Sequence, residues 1–156
     1  MAVNCSTGFR SAILGPASFE SIFNGGCIDI YAGAQPTHAD MAPTGTLVGR
    51  VTAGGGAWVE GNSENGLAYQ RSGHRVTGSA AQPWVLRGLA SGTAGWFRMR
   101  GVVDPGVLSQ VAPRIDGAIG AIDAVGDFQL RLQSTVMSAS SAAAITSWWF
   151  IFPPLD

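Results

Sequence analysis

The residues of this chain whose types could support metal binding or general-base chemistry are few and scattered. His38 and Asp40 form a two-ligand HxD fragment inside Gln35–Thr44, whereas a zinc site takes three or four protein ligands. His74 lies in a polar, turn-like stretch with no carboxylate nearby to orient it as a base. The pattern therefore predicts two surface histidines and no metal site.

Two further combinations match catalytic sets only in composition. Cys27, a histidine and Asp29 could form a nucleophilic set, but Cys27 adjoins Ile28 in an apolar strand, where a thiol is usually an inert packing group. Glu60 and Glu64 flank a turn, and nothing in the sequence indicates the aromatic-lined cleft that surrounds a glycosidase carboxylate pair. We therefore expect no catalytic residues, no cofactor and no enzymatic activity.

The composition argues against several classes of partner. All nine basic residues are arginine, so lysine-based Schiff-base or phosphate chemistry is excluded. These arginines are spread along the chain without a run, which argues against nucleic-acid binding. No apolar stretch is long enough to cross a bilayer. Only 12% of residues are charged and the net charge is −1, so repulsion between copies or towards partner subunits is weak.

The elements that position these residues are predicted to be a broken helix followed by many short strands. Residues 6–24 favour a helix interrupted at Gly15-Pro16, with an apolar stripe of Phe9, Ile13, Phe19, Ile22 and Phe23 that should dock on the β-domain or on a neighbouring subunit. Thereafter the periodicity changes to two, and turn signals recur. We expect a mainly β fold, either a β-sandwich (jelly-roll or Ig-like) or a small barrel, with a short N-terminal helical arm. The predicted division is an arm over residues 1–24 and a β-sandwich domain over residues 25–156.

The predicted strands are spaced by glycine, proline and asparagine turns. They are Cys27–Tyr31, Thr46–Thr52, Trp84–Leu89, Gly95–Gly101, Asp127–Thr135 and Ala144–Phe152, and Arg114–Gly120 is a short glycine-edged element.

The last predicted strand, Ala144–Phe152, suggests an oligomer. Adjacent Trp148 and Trp149 must point to opposite faces of a strand, so one core cannot bury both. Trp149 and Ile151 then need either the helical arm or a neighbouring subunit to cover them, because an uncharged open edge would aggregate. We expect a dimer or trimer. The interface candidates are Phe9, Ile13, Phe19, Phe23, Trp148, Trp149 and Ile151.

Five segments, taken in order, resemble a family of small structural proteins encoded by tailed bacteriophages. They are Ser6–Arg10 (STGFR), Gly25–Asp40 (GGCIDIYAGAQPTHAD), Thr44–Leu47 (TGTL), Gly92–Arg98 (GTAGWFR) and Arg114–Gly120 (RIDGAIG). The chain departs from the family pattern at Val48, where a second leucine is usual, and in its Trp-rich C-terminal part. The resemblance implies a virion protein of the head surface or tail, with no catalytic residues.

Three functions remain open at this point. The leading interpretation is a capsid decoration or cement protein, made in the host cytoplasm and bound to the major capsid protein or other virion proteins. A tail, connector or tail-tip component is the alternative within the virion. A carbohydrate-binding β-sandwich with exposed Trp and Tyr platforms is the alternative of another class.

Overall fold

The computed structural model describes residues 3–151, with the backbone alone described for residues 149–151. The described part is mainly β, with a small helical N-terminal region, as the sequence predicts. Its helices are α1 (Thr7–Ile13) and α2 (Phe19–Phe23). Its strands are β1 (Asn4–Cys5), β2 (Cys27–Ala32), β3 (Leu47–Ala53), β4 (Tyr69–Ser72), β5 (Arg75–Gly78), β6 (Trp84–Gly88), β7 (Gly92–Arg100), β8 (Arg114–Ala121), β9 (Leu130–Leu132), β10 (Val136–Met137), β11 (Ala142–Ile145) and β12 (Trp149–Ile151).

One large sheet contains most of these strands, in the order β9–β8–β7–β2–β3–β6–β11. Strand β1 pairs with the start of β8 on the same side as β9, and β10 pairs with β7. All pairs are antiparallel except β8–β9. Strands β9 and β11 are not paired with each other, so the small-barrel alternative is wrong. The sheet stays open because a groove separates its two terminal strands.

The apolar face of this sheet carries the core. Strand β2 contributes Ile28 and Ile30, while β7 contributes Phe97 and Met99, all of which are buried. A Cβ atom at Gly117 of β8 would lie 2.6 Å from the Phe97 ring, so glycine is needed for that ring to pack there. The helices and a second, three-stranded sheet, β12–β5–β4, lie over this face and share its core. The result is a sandwich-like arrangement of one large layer and one small layer.

The N-terminal helices are held by serine caps and by aromatic packing. The Ser6 hydroxyl accepts from the Phe9 amide at 3.0 Å, and Ser18 forms a reciprocal capping box with Ser21. The centroid of the Phe23 ring lies 5.6 Å from the centroid of the Phe9 ring and 4.8 Å from that of the Phe19 ring. Phe9, Phe19 and Phe23 share one buried core with residues of both sheets, and the Phe19 ring centroid lies 5.5 Å from that of Tyr69 in β4, so the helices pack on the chain's own β-sheets.

Three segments differ from the sequence prediction. The turn around His74 lies where the sequence predicts it, but it joins two strands, β4 and β5, that the sequence does not predict. Only Leu130–Leu132 of the predicted strand Asp127–Thr135 is a strand. The segment Ala144–Phe152 is not one strand, since β11 ends at Ile145 and β12 belongs to the smaller sheet. Between these two strands, Trp148 packs in the aromatic core, with its ring centroid 5.5 Å from that of Trp84. This packing turns the chain from one sheet to the other. Phe152 lies outside the described residues.

Candidate functional site: a buried ionic layer beneath apolar loops

The second face of the large sheet carries charged side chains of alternating sign. Asp116 of β8 lies opposite Arg98 of β7, which lies opposite Asp29 of β2, which lies opposite Arg50 of β3. Side chains on neighbouring strands at paired positions are close enough to interact. Together with Arg100, Asp104 and Arg114 these residues form what we call the ionic layer.

The pairs at the centre of the ionic layer are fully buried and bidentate. Arg98 donates from Nε and Nη2 to the two oxygens of Asp116, both at 2.7 Å. Arg114 donates to Asp104 at 2.7 and 2.6 Å. All four side chains are 0% exposed. Burial raises the pKa of Asp116, although its hydrogen bonds with Arg98 act in the opposite direction. Such pairs fix geometry well but contribute little net stability, because desolvation offsets most of their attraction.

Asp29 is the second centre of the layer. Its carboxylate accepts from Arg50 Nε and, at 2.8 Å, from Arg100 Nη1. Both guanidinium groups lie over the Trp58 ring, at 5.3 and 5.2 Å from its centroid. This geometry is that of a cation–π contact. The Trp58 loop therefore covers this end of the layer.

Cys27 lies beside Asp29 in this layer but is a poor nucleophile. Its side chain is buried, and its Sγ lies 3.7 Å from the Asp29 carboxylate. Burial raises the pKa of the Cys27 thiol strongly, and the negative charge of Asp29 raises it further. A thiol held in its protonated form is unreactive. The Cys27–Asp29 combination therefore has the geometry of a packed structural site.

The arginines of the layer also hold two long loops by their carbonyl groups. Arg98 Nη1 donates to the carbonyl of Met41 at 2.8 Å, in the loop that joins β2 to β3. Arg114 Nη2 donates to the carbonyl of Val107 at 2.6 Å, and Arg100 Nη2 donates to that of Asp104 at 2.5 Å. Val107 and Asp104 belong to the loop that joins β7 to β8. Both loops are thereby fastened to the sheet.

Asp40 connects the first of these loops to helix α1. Its carboxylate accepts from the backbone N–H of Thr7 at 2.8 Å and from the Thr7 hydroxyl at 2.7 Å. Burial alone would raise the pKa of Asp40, but the Thr7 hydrogen bonds and nearby His38 and Arg114 leave it lower than usual. His38 Nδ1 lies 3.5 Å from the same carboxylate, and the His38 side chain is largely exposed. Asp40 thus acts as a tertiary cap for α1.

The two loops carry several exposed apolar side chains. Met41 is 41% exposed, Val107 56%, Leu108 71% and Val111 85%. Met41 and Val107 are neighbours because both of their carbonyls accept from the Arg114 guanidinium, at 3.4 and 2.6 Å. The Ser109 amide also donates to the Asp40 carbonyl at 2.8 Å. We call the four apolar side chains the loop patch. Exposed apolar side chains grouped on neighbouring loops are a feature of protein-binding surfaces.

The remaining candidate site residues do not converge. His74, Glu60 and Glu64 are exposed on separate turns. Within the described residues no group of three or more His, Cys, Asp and Glu side chains could hold a metal ion. In the same part of the chain, no helix has the length and apolar character that crossing a membrane would require.

The interface candidates occupy three environments. Phe9, Phe19 and Phe23 are buried in this chain's own core. Ile13 and Trp148 are half-buried and pack against that core. Trp149 and Ile151 lie in β12, where side chains are not described.

Sequence reasoning missed both the ionic layer and the loop patch. Strand alternation alone puts Trp96, Arg98 and Arg100 on one face of Gly95–Gly101, and Asp29 on the face of β2 opposite Ile28 and Ile30. One signal could have indicated the ionic layer: the polar faces of three predicted strands carry arginine and aspartate and few other polar residues. The pairing itself depends on strand order, which that pattern does not give.

The chain was compared with protein-family models, with curated proteins and with solved structures, and none of the three comparisons found a match.

Proposed function

We propose that this chain is a structural protein of a tailed-phage virion, and that it decorates the capsid by packing the loop patch against shell proteins. The observation that carries the proposal is the loop patch itself, four exposed apolar side chains on loops fastened from beneath by buried ion pairs. A surface held in its binding conformation loses little entropy on association. A decoration protein, which binds a repeated lattice site, needs such a surface.

The resemblance to phage proteins agrees with this proposal at the level of single residues. The segments that carry the resemblance contain Thr7, Asp29, Asp40, Arg98 and Arg114. Each of these residues belongs to the ionic layer or to the link between its loop and α1. The shared motifs therefore coincide with the residues that fasten the loop patch.

The partner in this proposal is the major capsid protein or another virion protein, and the site is the assembled particle. Self-association as a dimer or trimer through Trp149 and Ile151 belongs to the same proposal. A tail, connector or tail-tip component would use the same kind of apolar surface at far fewer copies. No observation favours carbohydrate binding, since Trp58, Trp84 and Trp96 are buried and offer no exposed ring as a platform.

The test is to locate and count the protein in purified particles of a phage that encodes it. Electron microscopy of particles carrying a tagged copy gives the location, and quantitative mass spectrometry against the major capsid protein gives the copy number. A copy number that matches the shell lattice sites supports decoration. A few copies at the neck or tail tip favour the alternative, and absence from the particle would contradict both.

A further inference from the structure

A groove of about 950 Å³ lies between the two terminal strands of the large sheet, β9 and β11. One wall is residues 128–134, which include β9, and the other is residues 141–148, which include β11. The rest of the lining is Leu86, Ile122, and Val136 and Met137 of β10. Side chains of a strand alternate between its faces, so a groove that contacts every consecutive residue runs along the strand edge. The groove is therefore bounded by two strand edges, each paired on its far side only.

The edge of β11 presents unpaired backbone groups to this groove. The Leu89 amide donates to the carbonyl of Val48 in β3 at 2.9 Å. The preceding amide, that of Gly88, donates in the other direction, to the Ser141 carbonyl just before β11, at 2.8 Å. Strand β6 therefore bonds to β3 and to β11 at alternate residues, so Leu86 and Trp84 bond to their partners in β11, Ala143 and Ile145. The intervening N–H and C=O groups, those of Ala142 and Ala144, point into the groove. Within the described residues no strand is paired with β11 on this side.

The side chains around the groove are apolar on its inner side. Ala143 shares the core-facing side of the sheet with its partner Leu86, yet Ala143 is exposed. On the opposite wall, Leu130 and Leu132 belong to the buried core. The groove therefore exposes Ala143 beside the buried core. The lining includes one charged residue, Arg131, whose guanidinium already donates to the carbonyls of Ala124 and Gly126 at 2.7 and 2.9 Å.

We propose that this groove binds an extended, uncharged segment of another protein, which adds a strand between β9 and β11. The backbone groups of Ala142 and Ala144 recognise the main chain of that segment, and this is the mode of β-strand addition. Its side chains alternate, with apolar ones directed inward against Ala143, Leu130 and Leu132 and polar ones outward. No charge is accommodated on the inner side. The inference stands apart from the proposed function, because it concerns a different surface from the loop patch.

The test uses a fluorescein-labelled peptide of alternating valine and threonine, titrated with the purified full chain. The expected result is saturable anisotropy, together with slower hydrogen exchange at the amide of Ala144. Ala144→Pro removes the outward amide while leaving the bonds to β6, since an edge strand tolerates proline at such a position. This variant should weaken binding about tenfold. Ala144→Thr, which keeps the amide, is the matched control and should bind like wild type.

Two outcomes support the proposal and three overturn it. Saturable binding that Ala144→Pro weakens and Ala144→Thr preserves supports the proposal, as does loss of binding when the probe is N-methylated on alternate amides. Absence of saturable binding overturns it. Equal binding by Ala144→Pro, with unfolding at the wild-type temperature, also overturns it. Slow exchange of Ala144 in a self-associated chain without probe assigns the groove to a second copy and overturns it too. None of these readouts depends on phage particles.

Discussion

Asp116→Asn should destabilise the fold strongly, because it removes the negative charge that neutralises a fully buried arginine. Arg98 and Asp116 are both 0% exposed and share two hydrogen bonds of 2.7 Å. Removal of one partner of a buried pair costs roughly 3–5 kcal/mol, which is a large part of the ~5–15 kcal/mol that holds a typical domain. At about 2–4 °C per kcal/mol for a chain of this size, Tm should fall by roughly 6–20 °C.

The assay is urea unfolding followed by tryptophan fluorescence and circular dichroism. Its control is the double variant Arg98→Met with Asp116→Leu, which removes both charges together. The double variant should be less destabilised than Asp116→Asn, because no charge remains buried without a partner. It should still be less stable than wild type by about 1–3 kcal/mol, because the Met41 carbonyl loses its 2.8 Å hydrogen bond from Arg98 and keeps only the longer one, of 3.4 Å, from Arg114. A cost below about 1 kcal/mol for Asp116→Asn would refute the reasoning.

Three further predictions concern the core, the α1 cap and the buried thiol. Phe23→Ala should lower the free energy of unfolding by about 3–5 kcal/mol in a urea titration, since Phe23 is 0% exposed. The control, Leu14→Ala at an 87% exposed site, should change this free energy by less than about 0.5 kcal/mol. Because the folded pKa of Asp40 is lowered, its stabilising effect is present above its unfolded pKa of about 3.9 and is lost as pH falls through the folded value. The stability difference between wild type and Asp40→Ala should therefore be larger at pH 7 than at pH 3, and a difference independent of pH would contradict the cap. Cys27 should resist a thiol-specific reagent in the native chain and react on unfolding in urea, and rapid native labelling at Cys27 would show that the ionic layer is open.

The sequence predicts the local elements where one periodicity dominates. Strand β2 alternates Ile28 and Ile30 with polar neighbours, so its two faces could be assigned before the structure. The Gly15-Pro16 break and the apolar stripe of α1 and α2 were also predictable, because caps and helical spacing are local signals. The interruption between β11 and β12 was not, because Trp148 turns the chain through contacts with residues far away in sequence.

The ionic layer lay beyond sequence reasoning for a related reason. Asp29 and Arg98 become neighbours only through the β2–β7 pairing, and Arg98 meets Asp116 only through β7–β8. An arginine on a strand face is usually solvated, so the sequence gives no sign that loops cover it. Exposure of the loop patch depends in turn on where Arg114 and Arg98 fasten those loops. Tertiary pairing, rather than local propensity, places both features.

The central claim is that the loop patch is the surface that binds the virion shell, and the occupancy of substituted copies on purified particles tests it most directly. Leu108→Asp places a charge in the patch, and Val125→Asp, at a fully exposed position on the turn after β8, is its matched control. Both variants should unfold at the wild-type temperature. The account predicts that Leu108→Asp is lost from the shell while Val125→Asp occupies it like wild type. Wild-type occupancy by Leu108→Asp would contradict the account.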